Sequence, residues 1–376
     1  MVNESGRVQY NNPLIRSNSQ FMDVISSLEQ VSSQWLTAVL AESGTLQTGR
    51  VMGFEVDPSR GNWSTNAILH LQYSAEAAGR LPPRLFLKMV KIDLEDEFFG
   101  PSEVNYYTRD YADVPDAPLI RCYHAAYSET GQRYHLLLDD LSPSHIEAAD
   151  KEPTLEYGLA LAEGLAALHA RWWGEQRLVE AQAPIHPAGH IQAFVDMARP
   201  GLPPILHNFT DQLKSHWPAL LHNLYANHPQ ALIRRTQNDN GFTLIHGDLG
   251  CNNILVPRLG HRPLYFIDRQ PFNWSLTTWL GVYDLAYAIV LDWEIEQRRQ
   301  FEIPILGHYH AQLLQRGVKG YSWEQLYDDY RLSVAMGVYI ATEYCRGGFI
   351  NERWLPVWLP MLQRTLTACD DLACSY

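Results

Sequence analysis

The chain has 376 residues and a formal net charge of −13 at pH 7, and 46% of its residues are hydrophobic. This length allows two domains or one large two-lobed domain, and the hydrophobic content is enough for a sizeable core. The acidic balance argues against a nucleic-acid partner, whose phosphates need clustered Lys and Arg. It favours cationic or neutral ligands, although a solvated acidic surface is the commoner meaning of such a charge.

The cysteines and the N-terminal residues bear on the cellular compartment. Five cysteines occur in the chain and none forms a C-x-x-C pair, which is typical of free thiols in a reducing compartment. The N-terminal residues lack the apolar core of a signal peptide, and no run approaches the ~20 apolar residues that span a bilayer. We therefore expect a cytoplasmic protein with no membrane partner.

Residues 48–92 have the pattern of strands. Three apolar runs of strand length occur there, GRVMGFEVD, NAILHLQYS and RLFLKMVKI, and the turn-rich stretch PSRGNWST lies between the first two. Apolar residues then recur at helical spacing after Pro101. The run YHLLLDDLS predicts one more buried strand, which ends near Asp139.

The pattern becomes helical in the second half of the chain, and prolines mark its breaks. We predict a smaller N-terminal α+β lobe at residues 1–140, whose first 45 residues form a helical or irregular extension, and a larger, mainly helical lobe at residues 141–376. The clearest helix is LEYGLALAEGLAALHARWW. Its predicted apolar face consists of Leu155, Leu159, Ala162, Leu165, Leu168 and Trp172.

The strongest candidate site is the stretch LIHGDLGCNNILV. Asp248 and Asn253 lie there between two short apolar runs, and a turn followed by LYFID predicts a hairpin that brings Asp268 back beside them. Three such oxygen-bearing side chains suit Mg²⁺, which binds a few protein oxygens together with water and phosphate oxygens. Alone, Asp248 would be an ordinary turn aspartate. The spacing instead favours phosphoryl transfer, in which one carboxylate accepts the proton of the attacking hydroxyl.

The pattern H-G-D-x-x-x-x-N, followed by I-D at a strand end, resembles the aminoglycoside phosphotransferase and choline kinase-like family, whose members are relatives of protein kinases. The resemblance implies an α+β, two-lobed protein kinase-like fold. It also implies that Asp248 is the catalytic aspartate, that Asn253 and Asp268 are the metal ligands, and that His246 and Gly247 shape the loop. The stretches LAALHARWW and YHAQLLQRGVKGYSWEQLYDDYR further resemble helices of the ecdysteroid kinase-like branch.

Two residues of the N-terminal lobe match the lysine and glutamate pair of this family. Lys88, within LFLKMV, resembles the strand lysine that holds the α- and β-phosphates of the nucleotide, and Glu103, within SEVNYY, resembles the helix glutamate that pairs with it. A solvated strand lysine is the alternative for Lys88 alone. Lys91 is the rival: its odd spacing from Lys88 along the strand places the two on opposite faces, so only one of them can point into the cleft.

Two loops of the N-terminal lobe resemble further nucleotide contacts. The turn RGNWST, with Gly61, Asn62 and Ser64, resembles the phosphate-covering hairpin turn, where a small residue lets backbone N–H groups approach phosphate. The alternative for Gly61 is a hairpin turn without phosphate contact. The stretch LLLDDLS resembles the hinge, and there adenine would bind the backbone near Asp139 and Leu141.

One residue departs from the family pattern. Relatives usually carry an aromatic residue directly after the metal-binding aspartate, as in IDF or IDW, whereas this chain has Arg269 in IDRQ. Two orientations follow from its charge: Arg269 turns outward to solvent, or it faces the phosphates or the acceptor. Asp284, within YDLAYAI, is similar to the later aspartate that braces the catalytic loop.

These matches favour an enzyme that uses ATP and Mg²⁺ to transfer the γ-phosphoryl group to a hydroxyl of a small molecule. An aminoglycoside-, choline- or other metabolite-type acceptor is expected. The alternative is a catalytically inactive pseudokinase that serves as a nucleotide-binding module, which the retention of Lys88, Asp248 and Asp268 disfavours. H-G-D in place of H-R-D, and IDRQ in place of D-F-G, argue against a protein kinase.

The acceptor pocket is expected among the C-terminal helices, which are rich in aromatic and acidic residues. Our hypothesis is a cationic or polyhydroxylated acceptor that is held by stacking and by acidic groups. For any single residue the alternative is packing in the core. The residues concerned are Trp279, Tyr283, Trp293, Glu294, Tyr339, Glu343, Tyr344, Trp354 and Trp358.

Overall fold

The computed structural model describes residues 24–61, 64–91, 99–270, 272, 274–374 and 376. By its internal contacts the chain divides into two compact units. The first comprises Met1–Ile146 and Val256–Asn273, and the second comprises Glu147–Leu255 and Trp274–Tyr376. The segment that carries Asp268 therefore belongs to the first unit, although it comes late in the sequence. No helix in the described part of the chain has the length and apolar character needed to cross a membrane.

The first unit is built on an antiparallel sheet of five strands in the order β2-β3-β5-β7-β6. A separate pair is formed by β1 and β4. The strands predicted from the apolar runs are confirmed as β2, β3, β5 and β7. The strands of this unit before residue 140 are β1 (Leu46–Thr48), β2 (Val51–Arg60), β3 (Ser64–Tyr73), β4 (Ala78–Gly79), β5 (Arg84–Lys91), β6 (Cys122–Ser128) and β7 (Arg133–Asp139).

A helix of the N-terminal extension covers one face of this sheet. Helix α1 (Ser33–Glu42) begins after Ser32, whose hydroxyl accepts a hydrogen bond from the backbone N–H of Trp35 and so caps the helix. Its buried residues, among them Trp35 and Leu36, pack against Leu85 and Leu87 of β5 in one apolar core. Because side chains alternate along a strand, this packing directs Lys88 to the other face of the sheet.

A short helical segment follows the sheet strand β5 in the sequence. Helix α2 (Ser102–Asn105) continues into a π-turn at Tyr106–Asp110. The helix predicted after Pro101 is therefore confirmed, but it changes its hydrogen-bond pattern after one turn. A π-turn inside a helix is uncommon and often lies at a functional site.

The hairpin predicted before Asp268 is also present. Strand β8 spans His145–Glu147, β10 spans Ile254–Pro257 and β11 spans Tyr265–Phe266, and β10 and β11 are sheet neighbours. The backbone N–H of Phe266 donates to the carbonyl of Pro118 at 2.8 Å. This bond anchors the strand from which Asp268 follows.

The second unit is mainly helical. The predicted helix after residue 154 is confirmed as α3, which packs against α9. Its buried face includes Leu161, Ala162, Leu165 and Leu168, whereas Leu155 and Leu159 are half-buried. The helices of this unit are α3 (Leu155–His169), α4 (Glu175–Glu180), α5 (Ala188–Ala198), α6 (Leu202–Phe209), α7 (Trp217–Arg235), α8 (Val282–Ala286), α9 (Ile295–Gln315), α10 (Trp323–Glu343) and α11 (Leu355–Asp371).

One small strand pair places the H-G-D stretch beside α8. Strand β9 (Phe242–Leu244) pairs antiparallel with β12 (Thr278–Leu280). The chain passes from β9 into the H-G-D stretch and from β12 into α8, which continues as a π-turn at Tyr287–Leu291. The pairing therefore brings two segments that are distant in sequence to the same end of the second unit.

Candidate active site

Lys88 lies on the central strand of the sheet, β5, and contacts two of the predicted site residues. Its ammonium lies 2.8 and 2.9 Å from the two carboxylate oxygens of Glu103 and 2.8 Å from Oδ1 of Asp268. Lys88 is only 8% exposed. The first unit thus brings together Lys88, Glu103 and Asp268. The side chain of the rival Lys91 lies outside the described residues.

The charges of this cluster determine its protonation. Burial alone would lower the pKa of the Lys88 ammonium, but the carboxylates of Asp268 and Glu103 outweigh burial and raise the pKa above its ordinary value. Burial raises the pKa of the Glu103 carboxyl, against the attraction of Lys88. Glu103 also accepts a hydrogen bond from the hydroxyl of Tyr134. Lys88 therefore remains a cation at neutral pH.

Asp268 combines an exposed carboxylate with a rare backbone conformation. Its side chain is 49% exposed, and its φ of 59° lies in the left-handed region. Aspartate enters this region more readily than most residues, yet the conformation persists only where the surroundings hold it. A half-exposed carboxylate beside a buried ammonium is suited to bind a cation together with anionic oxygens.

Arg269 does not turn outward to solvent, so that expected orientation is wrong, whereas an orientation towards the phosphates or the acceptor stays a prediction. Its guanidinium NH1 lies 2.7 Å from Oδ2 of Asp110, and the exposed fractions of the two side chains are 3% and 1%. The guanidinium also lies over the ring of Tyr106, 5.5 Å from its centroid. The physical reason is that Asp110, in the π-turn, supplies a buried countercharge that the sequence pattern did not reveal.

The turn predicted to cover the phosphates is the connection between β2 and β3. The backbone N–H of Gly61 donates to the carbonyl of Ser64 at 3.0 Å, and Ser64 begins β3 opposite Val90 of β5. A β-carbon on Gly61 would meet Oγ of Ser64 at 2.5 Å unless the serine side chain turned away. Asn62, the third residue predicted in this turn, lies outside the described residues.

The predicted hinge lies at the end of β7. The carboxylate of Asp139 accepts a hydrogen bond from the Tyr123 hydroxyl and forms an ion pair with Arg80 at 3.1 Å. The carbonyl of Leu141 accepts bonds from the N–H groups of Ser144 and His145, both at 2.9 Å. The Asp139 side chain thus has structural partners, so a nucleotide contact at this segment would use backbone groups.

The H-G-D loop of the second unit is held by a buried aspartate. The carboxylate of Asp284 accepts hydrogen bonds from the backbone N–H of His246 at 2.6 Å and of Gly247 at 2.9 Å. Gly247 has a φ of 84°, which glycine adopts without strain. Burial would raise the pKa of Asp284, but the hydrogen bond and charge of His169, together with the loop, bring that pKa below its ordinary value. Asp284 therefore remains ionised and braces the loop.

Asp248 is held by three neighbours. The Tyr287 hydroxyl donates to its Oδ1 at 2.6 Å, and the Asn253 amide nitrogen lies 2.7 Å from its carbonyl oxygen and 3.4 Å from Oδ2. Its own backbone N–H lies 3.4 Å from Nδ1 of His246. The second unit thus brings Asp248 and Asn253 together. Because the Asn253 nitrogen is a donor, its amide oxygen is the atom suited to a cation.

The far end of the same loop is held by Asp292. Its Oδ2 accepts a hydrogen bond from the backbone N–H of Cys251 at 2.6 Å. Burial raises the pKa of the Asp292 carboxyl to about 6. Burial, followed by the Asp292 charge, raises the pKa of the Cys251 thiol to about 12. Cys251 is therefore protonated at neutral pH, and all five cysteines are free thiols.

The donor set suits a cation that needs few protein ligands. Among the residues that the structure describes, no group of three or more His, Cys, Asp or Glu side chains could hold a metal ion. The predicted ligands Asn253 and Asp268 belong to different units. Each offers an oxygen of the kind that Mg²⁺ binds beside water and phosphate oxygens, whereas a structural zinc site takes Cys and His ligands.

Comparison with known families agrees with this geometry. Residues 111–319, more than half of the chain, match the model of the ecdysteroid kinase-like family. The chain belongs to the ecdysteroid kinase-like family. The resemblance inferred from the sequence is thereby confirmed. The match includes the H-G-D loop and Asp268, whereas Lys88 and Glu103 lie before it.

Similarity to solved structures shows that this chain has the protein kinase-like fold. A choline kinase from Cryptosporidium parvum Iowa II is similar with a TM-score of 0.54 at 9% identity, over 85% of this chain and 91% of that chain. An ethanolamine kinase from Plasmodium vivax has a TM-score of 0.54 at 11% identity, over 89% and 87%. A spectinomycin phosphotransferase in complex with ADP and spectinomycin has a TM-score of 0.52 at 11% identity, over 90% and 98%. Comparison with curated proteins gives no match.

Most of the aromatic residues that were candidates for the acceptor pocket pack in the core. Those that are buried are Trp279, Tyr283, Trp293, Tyr339 and Trp358. The half-buried Tyr344 and Trp354 contact each other, with ring centroids 6.1 Å apart. Burial, followed by the negative charge of Asp248, raises the pKa of the Tyr344 phenol. The charge of the loop aspartate therefore acts on Tyr344.

An acidic cavity of the second unit lies next to the H-G-D loop. Its volume is about 480 Å³. One of its lining residues is Asp292, which accepts a hydrogen bond from the loop at Cys251. Its other lining residues are Ala149, Asp150, Lys151, Glu152, Pro153, Glu294 and Gln297. The lining has four carboxylates and one ammonium, of which Glu294 is paired with Arg364 and Asp292 accepts from the Cys251 N–H.

Proposed function

We propose that this protein is an ATP-dependent phosphotransferase that moves the γ-phosphoryl group to a hydroxyl of a small molecule. The observation that carries the proposal is the contact of Lys88 with both Glu103 and Asp268. A buried lysine that is oriented by one carboxylate and faces a second, half-exposed one is the arrangement that phosphoryl transfer requires on the nucleotide side. Membership of a kinase-like family supports the same assignment.

Each residue on the nucleotide side has a separate proposed role that follows from its chemistry. Lys88 would hold the α- and β-phosphates, and the turn at Gly61, Asn62 and Ser64 would offer backbone N–H groups to phosphate oxygens. The backbone near Asp139 and Leu141 would bind adenine. Asp268 and Asn253 would hold Mg²⁺. When bound, Mg²⁺ supplies positive charge that neutralises the phosphate oxygens during transfer.

The reaction itself would be carried by Asp248. Its carboxylate would orient the acceptor hydroxyl and accept the hydroxyl proton. The bond between the acceptor oxygen and the γ-phosphorus forms while the bond from that phosphorus to the bridging oxygen of ADP breaks, and ADP leaves. Positioning and charge stabilisation account for most of the rate in such reactions. In this assignment residues 1–140, together with Leu141, Asn253 and Asp268, serve the nucleotide, and the rest of residues 141–376 carries Asp248 and the acceptor site.

A cationic or polyhydroxylated acceptor fits the second unit best. The acidic cavity beside the loop would attract an amine, and its volume of about 480 Å³ is within the range of small-molecule sites. Tyr344 and Trp354 offer aromatic surfaces on which such a molecule could stack. The structurally similar enzymes are a choline kinase, an ethanolamine kinase and a spectinomycin phosphotransferase. Choline, ethanolamine and spectinomycin are therefore the first candidates.

The test is an acceptor panel read by ADP release at saturating MgATP. The panel contains choline, ethanolamine, spectinomycin, an ecdysteroid and a neutral apolar alcohol. We expect turnover with a hydroxylated amine or polyol that is abolished in Asp248→Asn. Strong turnover with only neutral, apolar alcohols would overturn the cationic acceptor.

A control without acceptor separates the kinase from a nucleotide-binding pseudokinase. An active kinase often transfers phosphate slowly to water, so MgATP alone should give slow phosphate release that Asp248→Asn reduces. MgATP binding by calorimetry with neither acceptor turnover nor phosphate release would support the pseudokinase and contradict the proposal. Absence of MgATP binding would contradict both.

A further inference from the structure

Two consecutive residues connect the end of the hairpin to the same helical segment, 102–110. Asp268 reaches it through Lys88, whose ammonium also contacts Glu103 of α2. Arg269 reaches it directly through Asp110, the last residue of the π-turn that continues α2. All these residues belong to the first unit. The Lys88 connection matches the lysine and glutamate pair of the resemblance, and the Arg269 connection is a second contact with the same segment.

The Arg269–Asp110 pair is buried and has few means of relaxing. The guanidinium of Arg109 forms an ion pair with the other carboxylate oxygen of Asp110, at 2.7 Å. The Arg109 side chain is itself largely exposed. The ring of Tyr106 lies beneath Arg269. A buried ion pair is generally no more stabilising than well-packed apolar side chains of similar volume. Stability alone therefore does not explain a charged pair at this buried position. The directional contact between the Arg269 guanidinium and the Asp110 carboxylate offers an explanation.

The backbone of Asp268 provides the second observation. Its left-handed conformation, φ 59°, holds its carboxylate at Lys88. Such a conformation in a residue other than glycine needs neighbours that determine it. Phe266 is held on one side by its hydrogen bond to Pro118, and Arg269 is held on the other by Asp110. The strained residue is thus fixed from both sides.

We propose that Arg269 and Asp110 form a positioning pair that keeps Asp268 and Glu103 aligned on Lys88, and that this pair sets the Mg²⁺-dependent part of nucleotide affinity. Neither residue contacts the reacting atoms. The pair acts through the backbone of Asp268 and through the helical segment that carries Glu103. The inference rests on the proposed function for its nucleotide readout, while its structural readout needs no ligand.

The experiment compares Arg269→Gln with Arg109→Gln. Both variants remove a guanidinium from Asp110, but Arg109→Gln leaves the connection to Asp268 intact. In Arg269→Gln we expect MgATP affinity, measured by calorimetry, to fall about tenfold. Affinity for ATP in EDTA should fall less than the affinity for MgATP, since the Asp268 carboxylate serves the cation. Arg109→Gln should change both affinities less than about twofold.

A second readout uses the protein without nucleotide. Hydrogen exchange of the backbone amides in the peptide around Asp268 should become faster in Arg269→Gln and stay unchanged in Arg109→Gln. Equal exchange and equal MgATP affinity in the wild type and Arg269→Gln would overturn the inference. Equal effects of the two variants would also overturn it, because the charge on Asp110 would then be the cause.

A double variant separates positioning from folding. Arg269→Phe with Asp110→Leu replaces the buried charges of this pair by apolar side chains, so the double variant should fold with a melting temperature near that of the wild type. We expect its MgATP affinity to remain weakened and exchange around Asp268 to remain fast. Wild-type affinity in this folded double variant would overturn the pair's role. If the wild type itself binds no MgATP, the proposed function fails, and hydrogen exchange alone decides the positioning role.

Discussion

Tyr287 donates a hydrogen bond of 2.6 Å to Oδ1 of Asp248. Tyr287 directly follows α8. Asp284, within α8, accepts hydrogen bonds from the backbone N–H groups of His246 and Gly247. Asp292, just after the same π-turn, holds the N–H of Cys251. One continuous segment therefore fixes the backbone of the loop at both ends and the carboxylate at its centre. The rotamer of Asp248 is thus held by groups of the protein itself.

The first prediction follows from this hydrogen bond. In Tyr287→Phe the carboxylate of Asp248 loses the donor that orients it, while the apolar ring remains. We expect kcat to fall about tenfold and the KM for ATP to stay within about twofold. The free energy of unfolding should decrease by only about 1 kcal/mol.

A matched control for this variant is Tyr330→Phe. Tyr330 is also buried and donates to a carboxylate, that of Glu302, at 3.1 Å. It should lose similar stability with unchanged kcat, measured by urea unfolding and steady-state kinetics. Equal loss of kcat in both variants would mean that Tyr287 acts only through stability.

The second prediction separates the two aspartates. Asp248→Asn keeps the shape and removes the proposed proton acceptor, so turnover should fall about 10²-fold or more while MgATP still binds. Asp268→Asn removes a charge that would face the proposed cation and should reduce both turnover and the Mg²⁺-dependent part of nucleotide affinity. Calorimetry and kinetics on both variants test this. Equal loss of nucleotide binding in both contradicts the division of roles, and full activity of Asp248→Asn contradicts the mechanism.

The parts of the fold that could be predicted from sequence depend on local pattern. Apolar runs of strand length predicted the sheet strands, and helical spacing predicted α3. Lys88 could be singled out because it interrupts an apolar run, and the strand alternation that buries Leu87 directs Lys88 to the other face. The H-G-D stretch could be recognised because its residues are contiguous.

The parts that could not be predicted depend on contacts between distant positions. Arg269 and Asp110 lie 159 positions apart. An isolated arginine in a sequence indicates solvent, and only its buried partner makes the interior acceptable. Tyr287 had a weak signal, since it lies one helical turn after Asp284 and so shares its face. His169 is buried and contacts Asp284 at 3.2 Å, a role that its helical spacing does not reveal.

The third prediction concerns the buried cation of the first unit. Lys88→Met leaves the carboxylates of Glu103 and Asp268 without their common countercharge. We expect the free energy of unfolding to fall by about 3 kcal/mol and MgATP binding to be lost. The control Arg235→Met breaks another largely buried pair, with Asp329 at 2.5 Å, and should lose comparable stability without weakening MgATP binding. Calorimetry that shows unchanged binding in Lys88→Met would contradict its role.

The last prediction concerns acid stability and arises from buried histidines. Burial lowers the pKa of His228 to about 3 and that of His186 to about 4, the latter with His190 contributing. Burial, with His124 contributing, lowers the pKa of His135 to about 3. An unfolded chain binds protons at these histidines below about pH 6.5, and the folded chain excludes them. The free energy of unfolding should therefore decrease as the pH falls from about 6.5 towards 4, by about 1.4 kcal/mol per pH unit for each histidine.

The variant His228→Gln isolates one of these contributions. His228 is bonded to the hydroxyl of Tyr339 and the carbonyl of Leu332, so its replacement lowers stability at pH 7. It should also make the pH dependence shallower by about one proton, because the unfolded chain then has one fewer site to protonate. Urea unfolding at half-unit steps between pH 7 and pH 4.5 measures both effects. An unchanged slope would mean that His228 takes up its proton in the folded chain, and that its burial does not exclude the charged form.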